Sequence, residues 1–258
     1  MSSSNNQSEI LGKKIFFVYP AAAVQNEVVA ELIQQEYEVY VVKDHVNLQK
    51  VLKHYPDSIV FADIDERLPE QDWETWIRNI MSDPATANVL IGIVSANNDE
   101  VLQRKYVNSV KVQCGYVTVK ANIKNSIKYI LDILNACEAK GRRKYIRVTT
   151  GSENMPTINI PHNGTYINGV IKDISSAGLS CSFAPDPELG KNTLCSDIQI
   201  KLQGMLLKVE GIIFGSRMEG QEKIYVLVFT QRTDPVVRMK IRKYIQTAIQ
   251  AKMEAELK

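Results

Sequence analysis

Along residues 14 to 134, short apolar runs alternate with longer stretches whose apolar positions recur every three or four residues. The first run, KIFFVYP at 14–20, is ended by proline and reads as a strand buried on both faces. Residues 23 to 36 follow with Val24, Val28, Ala30, Leu32 and Ile33 on one helical stripe. YEVYVVK (37–43) is a second strand, and Val46, Leu48, Val51 and Leu52 mark a second helix that stops near Pro56. SIVFADI (58–64) is a third strand, and WETWIRNIM (73–81) a third helix closed by Asp83-Pro84. NVLIGIVSA (88–96), EVLQRKYVNSV (100–110) and CGYVTVK (114–120) read as strand, helix and strand. A fifth helix carries Ile123, Ile127, Ile130, Leu131 and Leu134, with Gly141 placed to cap its end. Five strands interleaved with five helices within about 120 residues predict a doubly wound, five-stranded parallel sheet.

Beyond residue 148 the period changes to two. TINIPHNGTYING (157–169) alternates around Asn163-Gly164, a strong hairpin signal. YINGVIKDIS (166–175) and GLSCSF (178–183) form a second pair, turning at Ser176-Ala177-Gly178. DIQIKLQ, MLLKVEGIIFG and KIYVLVF continue the pattern. About six short strands with no helix between them predict a closed six-stranded antiparallel β-barrel. After Pro235 the period returns to helical through Val237, Ile241, Tyr244, Ile245, Ala248 and Ile249, so a terminal α-helix follows the barrel. The fold class is therefore α/β plus β. The boundaries expected are a tail at 1–12, an α/β domain at 13–137, a linker at 138–148 and a barrel domain at 149–258.

Composition narrows the function more than the fold. With 45% hydrophobic residues and a formal net charge of +2, the chain can fill two modest cores but carries no broad single-sign field. A general nucleic-acid or membrane-surface binder is therefore not expected. The cysteines Cys114, Cys137, Cys181 and Cys195 form no CxxC pair and have no histidine at ligand spacing, so no metal site is expected. Three of them sit in apolar or helical runs, which fits free thiols of a reducing cytoplasm. The polar start MSSSNNQSE has no signal-peptide order, and no apolar run reaches the ~20 residues of a membrane span. His162 stands alone beside a turn and no serine elbow or paired acid occurs, so the chain is not expected to be an enzyme.

The order of elements in the first half resembles the receiver domain of bacterial response regulators. Asp63 in PDSIVFADID stands at or within one residue of a receiver's phosphorylated aspartate. Ser95 matches the small hydroxyl ending the fourth strand, and Lys120 the lysine ending the fifth. The chemistry departs from the family, because phosphoryl transfer needs Mg²⁺ and carboxylates to hold it. Where receivers carry an acidic pair this chain reads Tyr19-Pro20-Ala21, and Ala121 replaces the proline after the lysine. The resemblance implies a degenerate receiver-like scaffold; Asp65 and Glu66 beside Asp63 do not make a specific metal set.

GRRKYIRV (141–148) puts four cations into six positions, with Arg143 and Arg147 four apart. Twenty-six residues after Arg147 comes DISSAG, with Asp173, Ser175 and Gly178 at a strand end and turn. RxxxR followed across one hairpin by DxSxxG resembles the PilZ domain, a receptor for the bacterial second messenger cyclic di-GMP. The resemblance covers residues 140 to about 250. It implies that Arg143 and Arg147 meet phosphate and the guanine O6/N7 edge, a match for the planar guanidinium fork. Asp173 would accept from guanine N–H groups, and Ser175 would offer a hydroxyl at the same rim. Gly178 would adopt a positive φ and keep the pocket free of a Cβ. Arg142 is the doubled arginine that in this family tends to accompany two stacked ligand molecules.

Cyclic di-GMP is thus the expected ligand, with no cofactor. The expected output is a changed surface for an unidentified protein partner, as the ligand draws the linker arginines onto the barrel and reorients the domains. The alternatives are a response regulator phosphorylated on Asp63, a single-strand nucleic-acid binder, and an interaction module that takes no nucleotide. The nucleic-acid reading needs aromatic platforms, and the barrel offers only Tyr145, Tyr166, Phe183, Phe214, Tyr225 and Phe229, several at core-facing positions.

Overall fold

The computed structural model describes residues 12–119, 123–150 and 155–258. Two compact units divide the chain, Met1–Lys144 with Gln250–Lys258, and Tyr145–Ile249.

The first unit is built on strands β1 (Ile15–Val18), β2 (Val39–Val42), β3 (Ile59–Asp63), β4 (Leu90–Ser95) and β5 (Tyr116–Thr118). All pair in parallel in the order β2-β1-β3-β4-β5. The order reverses once, between β1 and β3, so right-handed crossovers put helices on both faces. Every side chain of β1 and β3 is buried, which is why these runs read as unbroken apolar stretches. Phe17 stacks on Phe61 with centroids 5.1 Å apart, in a core shared with Leu32, Ile130 and Leu134. Phe16 stacks on Tyr40 at 5.3 Å.

The helices follow the predicted order with local departures. Helix α1 is a π-helical stretch, Val24–Val29, running into α-helical Ala30–Gln34. Helix α2 (His45–Leu52) buries Leu48, Val51 and Leu52 but leaves Val46, assigned to the same stripe from sequence, 56% exposed. Helix α3 is Glu70–Ser82, and α4 (Glu100–Arg104) continues as the π-helical Lys105–Val110. Helix α5 (Ile123–Ala136) does not end on Gly141. Glu138 takes the left-handed conformation at φ 50°, and its N–H donates to Asn135 O (3.1 Å) while that of Ala139 donates to Leu134 O (2.9 Å). That is a Schellman close with glutamate where glycine is usual. On the edge strand β2, Gln250 donates to Val41 O (2.8 Å) and accepts from Val41 N–H (3.1 Å), occupying backbone groups that an edge leaves open.

The second unit holds β6 (Arg147–Thr149), β7 (Thr157–His162), β8 (Thr165–Ser175), β9 (Gly178–Phe183), β10 (Leu194–Leu202), β11 (Met205–Glu219) and β12 (Glu222–Phe229), then α6 (Pro235–Glu256) as far as Ile249. The antiparallel order is β6-β8-β7-β10-β11-β12-β9, closed by pairing of β8 with β9. Six strands make the ring, and β6 is an addition along the end of β8 that the sequence reading leaves out. Asn163 and Gly164 both have positive φ, 49° and 80°, as a two-residue type I′ hairpin demands. Ile158, Ile171, Ile198, Ile213 and Leu227 are fully buried, as are Ile174 and Tyr225. Helix α6 buries Ile241, Tyr244 and Ile245.

Cys114, Cys181 and Cys195 are buried and Cys137 is half-buried, all four as free thiols. Among the described residues no helix is long and apolar enough to cross a membrane.

Candidate functional site

The switch point of the parallel sheet, where a receiver does its chemistry, is occupied by backbone. Asp63 ends β3 and is buried; its Oδ2 accepts from the Ala21 N–H (2.9 Å) and its Oδ1 from the Asp65 N–H (3.2 Å). Both carboxylate oxygens are therefore engaged by the chain itself. Ser95 is buried at the end of β4 and donates to Asp65 Oδ1 (2.6 Å), whose other oxygen accepts from the Ala96 N–H at 2.5 Å. Burial pushes the Asp63 carboxyl from 3.8 up to about 6, the two N–H donors pull it back, and the charges of Asp65 and Glu66 raise it further. Among the described residues no group of three or more His, Cys, Asp or Glu side chains is placed to hold a metal ion. Lys120 and Ala121 lie outside the described residues.

The second site is built by an irregularity in β8. Ile171 pairs with Cys181, but Asp173 pairs with Ser180, so Lys172 is an extra residue in the ladder. Strict alternation from the buried Ile171 would turn Asp173 into the core and Ile174 out. With the bulge, Ile174 stays fully buried opposite Leu179, while Asp173 and Ser175 fall on the other face. Strand β6 then pairs in register with this end of β8, Arg147 opposite Ser175 and Thr149 opposite Asp173. The result brings Arg147 Nε to 3.5 Å from Asp173 Oδ1. Arg147, read from sequence as part of the linker 138–148, is thus the first residue of a strand. Arg142 and Arg143 are exposed in the irregular segment that precedes it.

The remaining motif residues shape the turn. Ser175 is buried and its hydroxyl donates to Gly178 O (3.0 Å) while accepting from the Ala177 N–H at 3.4 Å, so it clips the turn shut. Gly178 is not in the left-handed region, contrary to the expectation of a positive φ. Its missing side chain matters for space: a Cβ there would lie 2.3 Å from the Leu227 carbonyl oxygen of β12. His162 ends β7 half-buried beside the Asn163-Gly164 turn. Of the aromatic side chains, Tyr225 and Phe229 are buried in the barrel, while Tyr166 and Phe214 are 49% and 64% exposed.

Two residues at this turn escape motif reading. Ser180 is buried and its hydroxyl donates to Asp173 Oδ2, leaving Oδ1 toward Arg147. The hairpin register gives it away: a two-residue turn at Ser176-Ala177 sets residue 180 opposite 173. Arg238, in the first turns of α6, donates to Ser176 O (3.0 Å) and to Thr230 O (2.6 Å), pinning the far side of the same turn. Nothing in the sequence ties Arg238 to DISSAG, because their contact is made only by the fold.

Residues 141–247 match the family model of the PilZ domain. Among solved structures the chain is similar to YcgR of Escherichia coli in complex with c-di-GMP (14% identity, 45% of this chain, 50% of that one, TM-score 0.40). It is similar to the K. pneumonia MrkH–c-di-GMP complex as well (18%, 45%, 57%, TM-score 0.40). A third likeness is to the Mn²⁺-bound response regulator Rcp1 (19%, 48%, 92%, TM-score 0.38). This chain spans about half the length of YcgR and MrkH. No curated protein matches it.

Two outcomes follow from this geometry. Because the folded state holds the Asp63 proton more tightly, stability falls as pH rises from 3.8 through about 6 and stays lower above. Asp63→Asn removes the ionisation but also one of the two acceptors, so it should flatten the fall in stability between pH 4 and 7 while lowering stability at pH 4; denaturant melts across that range check it, and an unchanged pH dependence contradicts it. Gly178→Ala should cost about 1–3 kcal/mol in a urea melt of the barrel. An unchanged midpoint would mean that β9 and β12 are not so closely apposed.

Proposed function

We propose that this protein is a cyclic di-GMP receptor, not an enzyme, that takes its ligand at the β6–β8 edge of the PilZ domain. The observation that carries this reading is the register that sets Arg147 opposite Ser175 and against Asp173, joining the two motif halves at one rim. The ligand carries two phosphates and two guanines. Arg147 supplies the forked donor for a guanine O6/N7 edge or a phosphate, and Asp173 the acceptor for guanine N1–H and N2–H₂. Arg143 and Arg142, exposed on the preceding segment, supply further donors, and Arg142 room for a second stacked ligand. Ser175 and Gly178 keep the turn in the shape that presents Asp173.

The magnitudes favour exchange. The Arg147–Asp173 pair is 47% and 18% exposed, so it is worth no more than about 1 kcal/mol. A charge-assisted hydrogen bond to a buried ligand edge is worth about 1.5–3 kcal/mol. The resting pair therefore holds the guanidinium near its working position without outcompeting the ligand. With a ligand gripping both Arg147 and the arginines before it, the segment joining the units loses freedom, and the output is an altered protein-interaction surface.

In calorimetry with cyclic di-GMP, Arg143→Ala and Arg147→Ala should each weaken binding by about 10- to 100-fold, as loss of one such bond requires. Asp173→Ala should do the same. Wild-type affinity in all three would overturn the assignment. Small-angle scattering at saturation should change relative to the free protein; superimposable profiles would remove the reorientation.

A further inference from the structure

We infer that Cys114 and Cys137 are a redox modification site, a thiol pair that a peroxide converts into a disulfide at the C-terminal end of α5. The inference does not rest on the ligand reading. The two sulfurs lie 3.8 Å apart although the residues are 23 apart in sequence. Cys114 stands just before β5 and Cys137 is the cap residue of α5, so the fold alone brings them together.

The chemistry divides between them by exposure. Burial pushes the Cys114 thiol far above its ordinary range, which keeps it protonated and unreactive toward oxidant. Cys137 is half-buried, the more exposed residue of the two, and is therefore the one that meets the oxidant first. Its thiolate attacks hydrogen peroxide, breaking the O–O bond to give a sulfenic acid and releasing hydroxide. The hydroxide just released takes the Cys114 proton as water, and the Cys114 thiolate attacks the sulfenic sulfur; the S–O bond breaks, the departing hydroxide takes up the proton first lost by Cys137, and the disulfide forms. In sum, two thiols and one peroxide give one disulfide and two waters.

A disulfide is about 2.05 Å long, so the sulfurs must close by roughly 1.7 Å. The Cys114 backbone is held in place. Its N–H donates to Ile91 O at 2.8 Å, the Gly115 carbonyl accepts from Ile93 N–H at 2.9 Å, and a Cβ on Gly92 would stand 2.9 Å from the Cys114 Cβ. The corner after α5 holds Cys137 just as firmly, its N–H donating to Ile133 O at 2.9 Å, so the gap closes by rotation of the two side chains. That corner is itself tied down: Ala139 O accepts from the Lys13 N–H (2.8 Å) and Lys140 Nζ sits 4.5 Å from the Tyr37 ring centroid. Arg142 and Arg143 follow immediately. Oxidation of this pair thus ties the chain just ahead of the arginine segment to the turn before β5.

The test treats the folded full-length chain with hydrogen peroxide, quenches with an alkylating agent in denaturant, and reads intact mass and peptide maps. Free cysteine in a parallel tube confirms that the oxidant is active. The expected result is a loss of two hydrogens in mass, a linked peptide containing Cys114 and Cys137, loss of alkylation at both, and recovery of both with dithiothreitol. Cys137→Ser, at a half-exposed position, should fold normally and abolish the mass loss. Full alkylation of both thiols after peroxide, or a Cys137 sulfinic acid beside an alkylatable Cys114, would overturn the inference.

Discussion

Asp173 faces outward because β8 carries one residue more than its partner. The extra residue at Lys172 lets Ile171 and Ile174, three apart, both point into the barrel, and it turns Asp173 and Ser175 to the rim. Everything else at the rim uses that register. Strand β6 pairs along the corrected end of β8, which brings Arg147 to Asp173, and Ser180 meets Asp173 from β9. A one-residue slip would exchange every inside and outside position in this segment at once.

The rim is supported from both sides by groups that have no need to touch a ligand. Ser175 closes the turn on Gly178, Gly178 lies against the Leu227 carbonyl, and Arg238 holds the Ser176 and Thr230 carbonyls from α6. Removing the Arg238 guanidinium would take one charge-assisted hydrogen bond from each of two carbonyls, more than the Arg147–Asp173 contact supplies. The stiff parts are thus the turn and its backing, and the soft part is the guanidinium that meets solvent. In the first unit the same logic has the opposite outcome. The carboxyl end of the parallel sheet, open in a working receiver, is filled by the Ala21 and Asp65 N–H groups on Asp63 and by Asp65 on Ser95.

Much of this was legible from residue order. The parallel sheet, the type I′ turn at Asn163-Gly164 and the return to helical period after Pro235 follow from local patterns that the fold does not override. The departures have physical causes. Glu138 ends α5 instead of Gly141 because the Schellman hydrogen bonds close there first. Gly178 was expected to supply backbone freedom and a pocket free of a Cβ; its φ is ordinary, and the space its missing Cβ leaves is taken by the Leu227 carbonyl of the strand beside it. Arg147 was read with the linker because three residues of β6 are too few for a period to show. The bulge was not read, because Ile171 and Ile174, three apart, are seen to share one face only once the structure buries both. Arg238 was not, because its partners lie 62 and 8 residues away and only the folded barrel brings both within reach.

The most direct measurement is a crystal structure of the full chain with cyclic di-GMP. The account predicts one ligand within hydrogen-bond distance of both the Arg147 guanidinium and the Asp173 carboxylate, their mutual contact opened and the β6–β8 register unchanged. A ligand bound elsewhere, or one bound while Arg147 and Asp173 still hold each other, would contradict it.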